Sequence, residues 1–538
     1  MSKSKIQNKS KYQISKPKFC YFVICALVLF CHLCFGICHS FSYAQDTDKE
    51  EEALFVAKKA FEDGFYEVSL GLTERFIKSY PDSLLMSQVE LLVGQCFFYQ
   101  NRFLDALNKF EGLLNKPQAR DIQDAVNYWI AEVHFKGGNF SKAREYYQKV
   151  VDKFSDSSYC PASYYSLGWC FFQERDFNKA LECFNIIEDK FSKEPCAQES
   201  VFKTIECLYN LKKYTQLKDK LKGYLKTYAR DPVKVSYFNF YIAEADYYLN
   251  NLEAAAAGYL KVIQAAEDEK IKVLCRLGAG WAYLKLKQYK EAGENFQGVK
   301  PDGLDKVNLE VFFLGKAILA SETGSFDEAA KLYEGLIGQA VDPAVTAQGY
   351  IGLAEVFYNT GKYKESISAY QQGLVKLEAL VSQEMIDKLH YGLAWAFLKE
   401  GDFKPAIEEF RKIAKLSEDK MVKVSALCQI GDAYQDSGDY DKAIETYDTL
   451  LKNYPDNFYS DYVQYQLGMI YLKLSNYDAA IAAFKTLKAN FPNSKLLDDA
   501  SYSLCLAYFQ REDYNASREI YGCNNPAKYV FQFLIYPT

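Results

Sequence analysis

Three kinds of side chain in this 538-residue sequence could do chemistry: histidine and cysteine as nucleophiles or metal ligands, carboxylates as acids and bases, and tryptophan and tyrosine as contact surfaces. The first two kinds form no site. Beyond residue 44 the chain has only His134 and His390, too few and too far apart for a shared zinc site or a histidine-dependent triad. The ten cysteines of that stretch contain no C-x-x-C spacing, and neither a Walker-type phosphate loop nor a G-x-G-x-x-G after a strand is present. Carboxylates are abundant, but the repetitive pattern described next leaves no separate domain to house a two-carboxylate cleft. No catalytic, cofactor-binding or metal-binding residues are expected, and the chain reads as a non-enzyme.

The aromatic residues, in contrast, are ordered. A large residue follows a short polar turn at Tyr66, Phe103, Phe140, Phe177, Tyr214, Leu252, Tyr289, Phe326, Tyr363, Phe403, Tyr440, Tyr477 and Tyr514, almost always 37 residues apart. Taking this residue as position 0, position +3 is small in all repeats but one, as at Ala106, Ala143, Ser69 and Ser366, with Leu217 the exception. Position +7 is large in all but the first repeat, as at Phe110, Tyr147, Phe184, Tyr259, Phe296, Tyr370, Tyr447 and Phe484. Position −9 is small again, at Gly94, Ala131, Gly168, Ala243, Gly280, Ala317, Ala354, Ala394, Gly431 and Gly468, and Ile205 departs from this. Spacings of three, four and seven fall on one helical face, so each unit is two amphipathic helices, with position 0 opening the second. Small residues at +3 and −9 let the two backbones approach, and the +7 aromatics fill the space beside them. Glycine or polar residues form the turns, as in Gly138-Asn139 and Gly438-Asp439, and Tyr80-Pro81, Tyr454-Pro455 and Phe491-Pro492 close units. Asp246 falls where neighbouring repeats carry Phe171, Tyr283 or Phe357, which predicts a local shift of the sixth repeat.

This pattern resembles the tetratricopeptide repeat (TPR) family over nearly all of residues 52–521. The resemblance implies an all-α fold, a right-handed superhelical solenoid of about thirteen helical hairpins, here with a 37-residue period. The motifs Tyr454-Pro455-Asp456-Asn457 and Phe491-Pro492-Asn493-Ser494 are similar to those of bacterial cell-envelope TPR proteins of the Tol–Pal and β-barrel-assembly kinds. In the family, ligands contact a concave wall lined by the first helix of each hairpin. The expected partners are therefore other proteins or peptides, apolar with some basic residues.

Two rows mark that wall. Position −8 holds Gln95, Glu132, Trp169, Glu206, Glu244, Trp281, Ile318, Glu355, Trp395, Asp432, Met469 and Leu506, with the tryptophans three repeats apart. Position −12 carries Tyr128, Tyr165, Phe202, Tyr391 and Tyr465 among other apolar residues. Tryptophan and tyrosine supply large contact area at low entropic cost. Trp169, Trp281, Trp395, Tyr128, Tyr165, Phe202, Tyr391, Tyr465, Glu206, Glu244 and Glu355 are thus the candidate partner-binding residues. The −12 row reads first as packing between repeats, and the tryptophans divide evenly between packing and contact.

Outside the repeats, residues 1–44 read as an export signal or N-terminal membrane anchor. Six lysines precede an apolar run from Phe19 to Cys38, and Ser42-Tyr43-Ala44 precede Gln45 as a cleavage site. Either way the solenoid, 45–521, is expected outside the cytoplasm and most readily in a periplasm, in contact with a membrane only if the segment is uncleaved. Beyond residue 44 the chain has 58 basic and 70 acidic residues. That balance argues against a nucleic-acid partner, which needs clustered basic charge. The cysteines read as small core residues rather than a disulfide framework, although Cys170 and Cys183 could face each other across one hairpin. The pattern stops after Tyr521, and residues 522–538 form an irregular apolar tail that reads as a truncated end, a fold-back or a partner contact. The leading expectation is a non-catalytic cell-envelope scaffold. A scaffold of polysaccharide export and the helical arm of an envelope enzyme are the alternatives.

Overall fold

The computed structural model describes residues 44–521, so the export segment, the apolar tail and Cys523 lie outside the described residues. Those residues form twenty-six α-helices and two short 3-10 turns, with no strand among them. Each of the thirteen expected opening residues is the first residue of a helix, from Tyr66–Ser79 through Phe140–Lys153 to Tyr514–Tyr521. Within a hairpin the first helix packs on the second, as Gln123–Lys136 does on Phe140–Lys153. The second then packs on the first helix of the next hairpin, here Cys160–Gln173. The chain divides into two compact units, the N-terminal one ending at Ile271 and the C-terminal one beginning at Lys272, each a run of stacked hairpins. No described helix is long and apolar enough to cross a membrane.

One turn geometry serves all thirteen hairpins. The residue at −2 has a positive φ in every repeat: glycine at Gly64, Gly138, Gly324, Gly361, Gly401 and Gly438, and a side-chain-bearing residue at Asn101, Arg175, Lys212, Asn250, Lys287, Ser475 and Glu512. The next amide reaches back five residues, as from Asp176 N to Phe171 O at 2.9 Å and from Asn251 N to Asp246 O at 2.9 Å. This closes the free carbonyls of the first helix. In some repeats position −1 also caps the second helix. Asn139, Asp176 and Asn476 accept from the amides of Lys142, Lys179 and Ala479. The required left-handed residue is thus set by the stacking, and glycine merely meets the requirement at least cost.

The interior is built around the +7 side chain. Phe110, Tyr147, Phe184, Tyr259, Phe410, Tyr447 and Phe484 are wholly buried. Each buried aromatic of this size contributes about 1.5–3 kcal/mol. Where −9 is glycine, the ring lies against its backbone with no room for a methyl group. A Cβ at Gly280 would fall 2.6 Å from the Phe296 ring and one at Gly168 2.8 Å from Phe184, and Gly94, Gly431 and Gly468 face Phe110, Tyr447 and Phe484 in the same way. Where −9 is alanine, the glycine can come from the next repeat instead, at position −11: Gly352 meets Tyr333 and Gly392 meets Tyr370. Phe296 has both, with Gly315 on its other side. The expected contact of small residues is also present. Where +3 is serine, its hydroxyl donates to the carbonyl of −9 on the facing helix, from Ser69 to Ala57 and from Ser366 to Ala354, both at 2.8 Å.

The shift expected at the sixth repeat does not occur. Leu252 opens its helix in register, and Asp246 is buried where other repeats hold an aromatic. Its carboxylate is satisfied by Lys218 Nζ at 2.5 Å and Asn251 Nδ2 at 3.1 Å. A charge supplied by the preceding repeat replaces apolar packing without disturbing the ladder, because a buried carboxylate with a cation and an amide donor meets its main cost.

Left-handed backbone costs a residue with a Cβ about 1–2 kcal/mol, part of which glycine returns through its unfolded-state entropy. Arg175→Gly and Lys287→Gly are each expected to stabilise the protein by about 0.5–1 kcal/mol, with smaller gains for Asn101→Gly and Asn250→Gly, because asparagine tolerates this conformation. Chemical denaturation of the four variants measures this, and a loss of stability in Arg175→Gly would contradict the common turn geometry.

Candidate functional site

Within each unit the first helices lie side by side. Cys160–Gln173 touches Pro195–Asn210, and in the C-terminal unit Pro343–Asn359 touches both Lys306–Glu322 and Gln383–Glu400. Among the described residues, no two second helices pack together to a comparable degree. Positions −12 and −8 are one turn apart on a first helix and share a face, so each unit presents two parallel rows along adjacent hairpins.

Most aromatics of the two rows rest on the +7 ring beneath, and the others on neighbouring rings. At −12, the Tyr128 ring centroid lies 6.0 Å from Tyr147, Tyr165 5.9 Å from Phe184, Tyr391 5.5 Å from Phe410 and Tyr465 5.9 Å from Phe484. Phe202, above a leucine at +7, packs on Tyr237 of the next repeat at 5.1 Å. At −8, Trp281 meets Phe296 edge-on at 6.5 Å and Trp395 meets Phe410 at 6.4 Å. Trp169 stands against Phe172 at 5.8 Å, with Lys203 Nζ 4.1 Å from its ring centroid. All eight of these candidate aromatics are half-buried. Packing and an accessible edge therefore coexist in the same side chains.

The −8 row follows a rule that the separate rows concealed. In three repeats where +7 is tyrosine, its hydroxyl reaches the first helix and −8 is an acid that accepts from it. Tyr147 donates to Glu132 at 2.6 Å, Tyr259 to Glu244 at 2.5 Å, and Tyr447 to Asp432. Neighbouring repeats add a second donor: Ser166 to Glu132 at 3.2 Å, Tyr209 to Glu244 at 2.8 Å and Tyr462 to Asp432 at 3.1 Å. Where +7 is phenylalanine, −8 carries no charge: Gln95, Trp169, Trp281, Trp395 or Met469. A buried hydroxyl needs an acceptor and a ring without one does not. Burial raises the carboxyl pKa values of Glu132, Glu244 and Asp432, opposed by these tyrosine hydrogen bonds.

The other predicted acids differ. Glu206, above Leu221, has no hydroxyl beneath it and pairs with Lys203 at 2.7 Å. Glu355 is the most open of the candidate acids and has no donor among the described residues. Three tyrosine repeats lack the pairing: −8 is Ile318 with Tyr333 in repeat eight and Leu506 with Tyr521 in repeat thirteen, and in repeat nine Glu355 accepts no bond from Tyr370. Sequence reading missed this coupling, although comparing position −8 with +7 repeat by repeat would have revealed it. It also left unassigned a buried pair within one hairpin, His390 Nδ1 to Glu409 Oε2 at 2.6 Å, with Lys412 on the other carboxylate oxygen at 2.8 Å. The described cysteines are free and buried, Cys170 and Cys183 included, and burial pushes both thiols up to about 12.

Tandem hairpins with this register define an α-helical repeat protein. Tetratricopeptide-repeat models match residues 91–158, 128–195, 314–379, 428–495, 465–521 and 387–420, together more than half of the sequence, and the chain belongs to the tetratricopeptide repeat family. Proteins of this family generally act as non-catalytic scaffolds that bind other proteins or peptides. Superkiller complex protein 3 of Mus musculus is 27% identical over 196 residues, which are 35% of this chain, and the match spans 12% of that relative's length. Among solved structures, the C-terminal part of a TPR repeat-containing protein from Cytophaga hutchinsonii is 16% identical with a TM-score of 0.39, covering 48% of this chain and 98% of that one. A tetratricopeptide repeat protein from Parabacteroides merdae is 14% identical with a TM-score of 0.32, covering 49% and 99%.

The coupling between −8 and +7 has two measurable consequences. Tyr147→Phe and Glu132→Met should each cost about 1–3 kcal/mol, because each leaves a polar partner unmatched. The double variant, which recreates the Met469–Phe484 pairing, should cost less than the sum by about 1 kcal/mol or more, and additive losses would refute the coupling. A carboxyl whose folded pKa is raised contributes stability below its unfolded pKa and loses it as pH rises through the folded value. The stability of the Glu132→Gln, Glu244→Gln double variant relative to the parent should therefore increase as pH rises above about 4.5, read as the difference between their melting temperatures.

Proposed function

We propose that this chain is a non-catalytic protein-interaction scaffold of the cell envelope, which holds partner proteins on the first-helix faces of its two units. The observation that carries the reading is the double nature of the −8 and −12 rows. Trp169, Trp281, Trp395, Tyr128, Tyr165, Tyr391 and Tyr465 are anchored by the rings beneath them yet keep accessible edges. Anchored aromatics lose little entropy on binding, which makes them suitable hot spots. Glu206, Glu244 and Glu355 lie in the same row, which favours partners carrying basic as well as apolar residues.

The envelope location rests on residues 1–44, where six lysines precede an apolar run and a small-residue cleavage site. The buried thiols suit an oxidising compartment, since a thiol with a raised pKa is a poor nucleophile for disulfide exchange. Cell fractionation checks the location: recovery of the protein in the cytoplasm would end that part of the proposal.

The face itself is tested by Trp169→Ala, Trp281→Ala and Trp395→Ala in full-length protein. Each is expected to keep the helical circular dichroism of the parent. Together they should weaken by at least tenfold the binding of partners recovered from envelope fractions with the parent chain. Folded variants that bind those partners at parental affinity would rule the face out.

A further inference from the structure

One pair of adjacent first helices already holds a cation on this face. In the N-terminal unit, Lys203 sits at −11 of the fifth repeat. Its ammonium lies 4.1 Å from the Trp169 ring centroid and 5.0 Å from that of Phe172, and it donates to Glu206 Oε2 at 2.7 Å. Trp169 and Glu206 are the −8 residues of consecutive repeats. A tryptophan face and a carboxylate therefore form the two walls of a slot that takes a lysine side chain, by cation–π attraction and a charge-assisted hydrogen bond.

The C-terminal unit repeats the walls without the lysine. Trp395 and Asp432 are the −8 residues of the tenth and eleventh repeats, and Gln429 stands where the fifth repeat has Lys203. The two helix pairs are in the same register, because the same positions join them. Tyr165 bonds Glu199 of the next repeat at 2.7 Å, and Tyr391 bonds Ser425 of the next repeat at 3.2 Å, each from −12 to −15. Both tyrosine contacts to Asp432 use Oδ1, and Oδ2 has only the Cys428 thiol 4.0 Å away. Among the described residues, no lysine or arginine lies over the Trp395 ring or within ion-pair distance of Asp432. The charge recorded beside that carboxylate is another acid, Asp436.

We infer that Trp395 and Asp432 form a slot for a lysine or arginine side chain of a partner protein, which takes the place that Lys203 fills in the N-terminal unit. The inference rests on the first-helix face being the binding surface. The partner segment would present its cation beside apolar residues that cover Tyr391 and the free edge of Trp395. Asp432 is one methylene shorter than Glu206, so the slot is deeper, which suits a side chain arriving from outside rather than one from the neighbouring helix.

The probe is a set of three fluorescein-labelled ten-residue peptides with one leucine-alanine framework and two central residues that are both lysine, both arginine or both glutamine. Anisotropy is read on the full chain. The lysine and arginine peptides should bind with one site per chain, and the glutamine peptide at least tenfold more weakly. Gln429→Lys, which fills the slot internally, should weaken the lysine peptide at least tenfold, whereas Gln466→Lys, in the same register one repeat on, should not. Lys203→Ala should open a second site and raise the stoichiometry to two. Circular dichroism checks folding, and if Gln429→Lys does not fold, the Lys203→Ala stoichiometry decides. Equal binding of all three peptides, insensitivity to Gln429→Lys, an unchanged stoichiometry in Lys203→Ala or no binding at all would overturn the slot. If the glutamine peptide binds as well as the others and Trp395→Ala abolishes its binding, the slot fails while the binding face survives.

Discussion

A phenyl ring pressed on a polypeptide backbone admits no Cβ between them, and this contact organises seven of the thirteen hairpins. The ring at +7 of the second helix must meet either a glycine or a deliberately small neighbour on the first helix, or the hairpin cannot close. Five repeats provide glycine at −9 for this purpose, and others take it from the following repeat, as Gly352 does for Tyr333. The second arrangement makes closure of one hairpin depend on arrival of the next. That is the physical form of nearest-neighbour coupling in a solenoid: a repeat is completed by its successor as well as by its own helices.

The same ring reaches outward. Its para position lies under the first helix, so a single oxygen atom separates two surface chemistries. A buried tyrosine hydroxyl favours an acceptor above it, and Glu132, Glu244 and Asp432 accept from such hydroxyls. Without the hydroxyl, a buried carboxylate at −8 would bear its desolvation cost alone, and Trp281 and Trp395 close over phenylalanine instead. At these repeats the acidic or aromatic character of −8 is tied to the core residue beneath it. The side chains at −8 and +7 are thus coupled at these repeats, so a change of chemistry at −8 calls for a compensating change at +7.

Much of this was legible from the sequence because the contacts are local and periodic. The opening residues from Tyr66 to Tyr514 locate thirteen helix starts, since a 37-residue repeat in register constrains each boundary many times over. Two things were not legible from one row at a time. Asp246 looked like a register fault because its compensating charge, Lys218, lies 28 residues upstream in another repeat. The turns read as glycine or polar, but the sequence did not show that one left-handed residue recurs in each, Arg175, Lys287 and Glu512 included. A propensity argument sees the local cost of that conformation and not the stacking energy that exceeds it. Among candidate contact residues, the sequence located the two rows but could not divide packing from accessibility, because the structure assigns both to the same side chains.

The cysteines show how the two lines of reasoning meet. Ten thiols in a chain with an export-like start would ordinarily suggest disulfides. The described thiols are instead free and buried, several at positions where other repeats carry alanine, valine or leucine. Burial is the first cause of the raised pKa at Cys170, Cys183 and Cys207, each pushed up to about 12, and nearby carboxylates add to it. Thiolate is the reactive species in exchange, and a thiol whose pKa is raised this far is almost entirely protonated at neutral pH. Tight packing around the +7 rings thus protects these thiols kinetically, as long as the hairpins stay closed. The contact that gives the solenoid its register therefore also keeps a cysteine-rich core out of reach of thiol exchange.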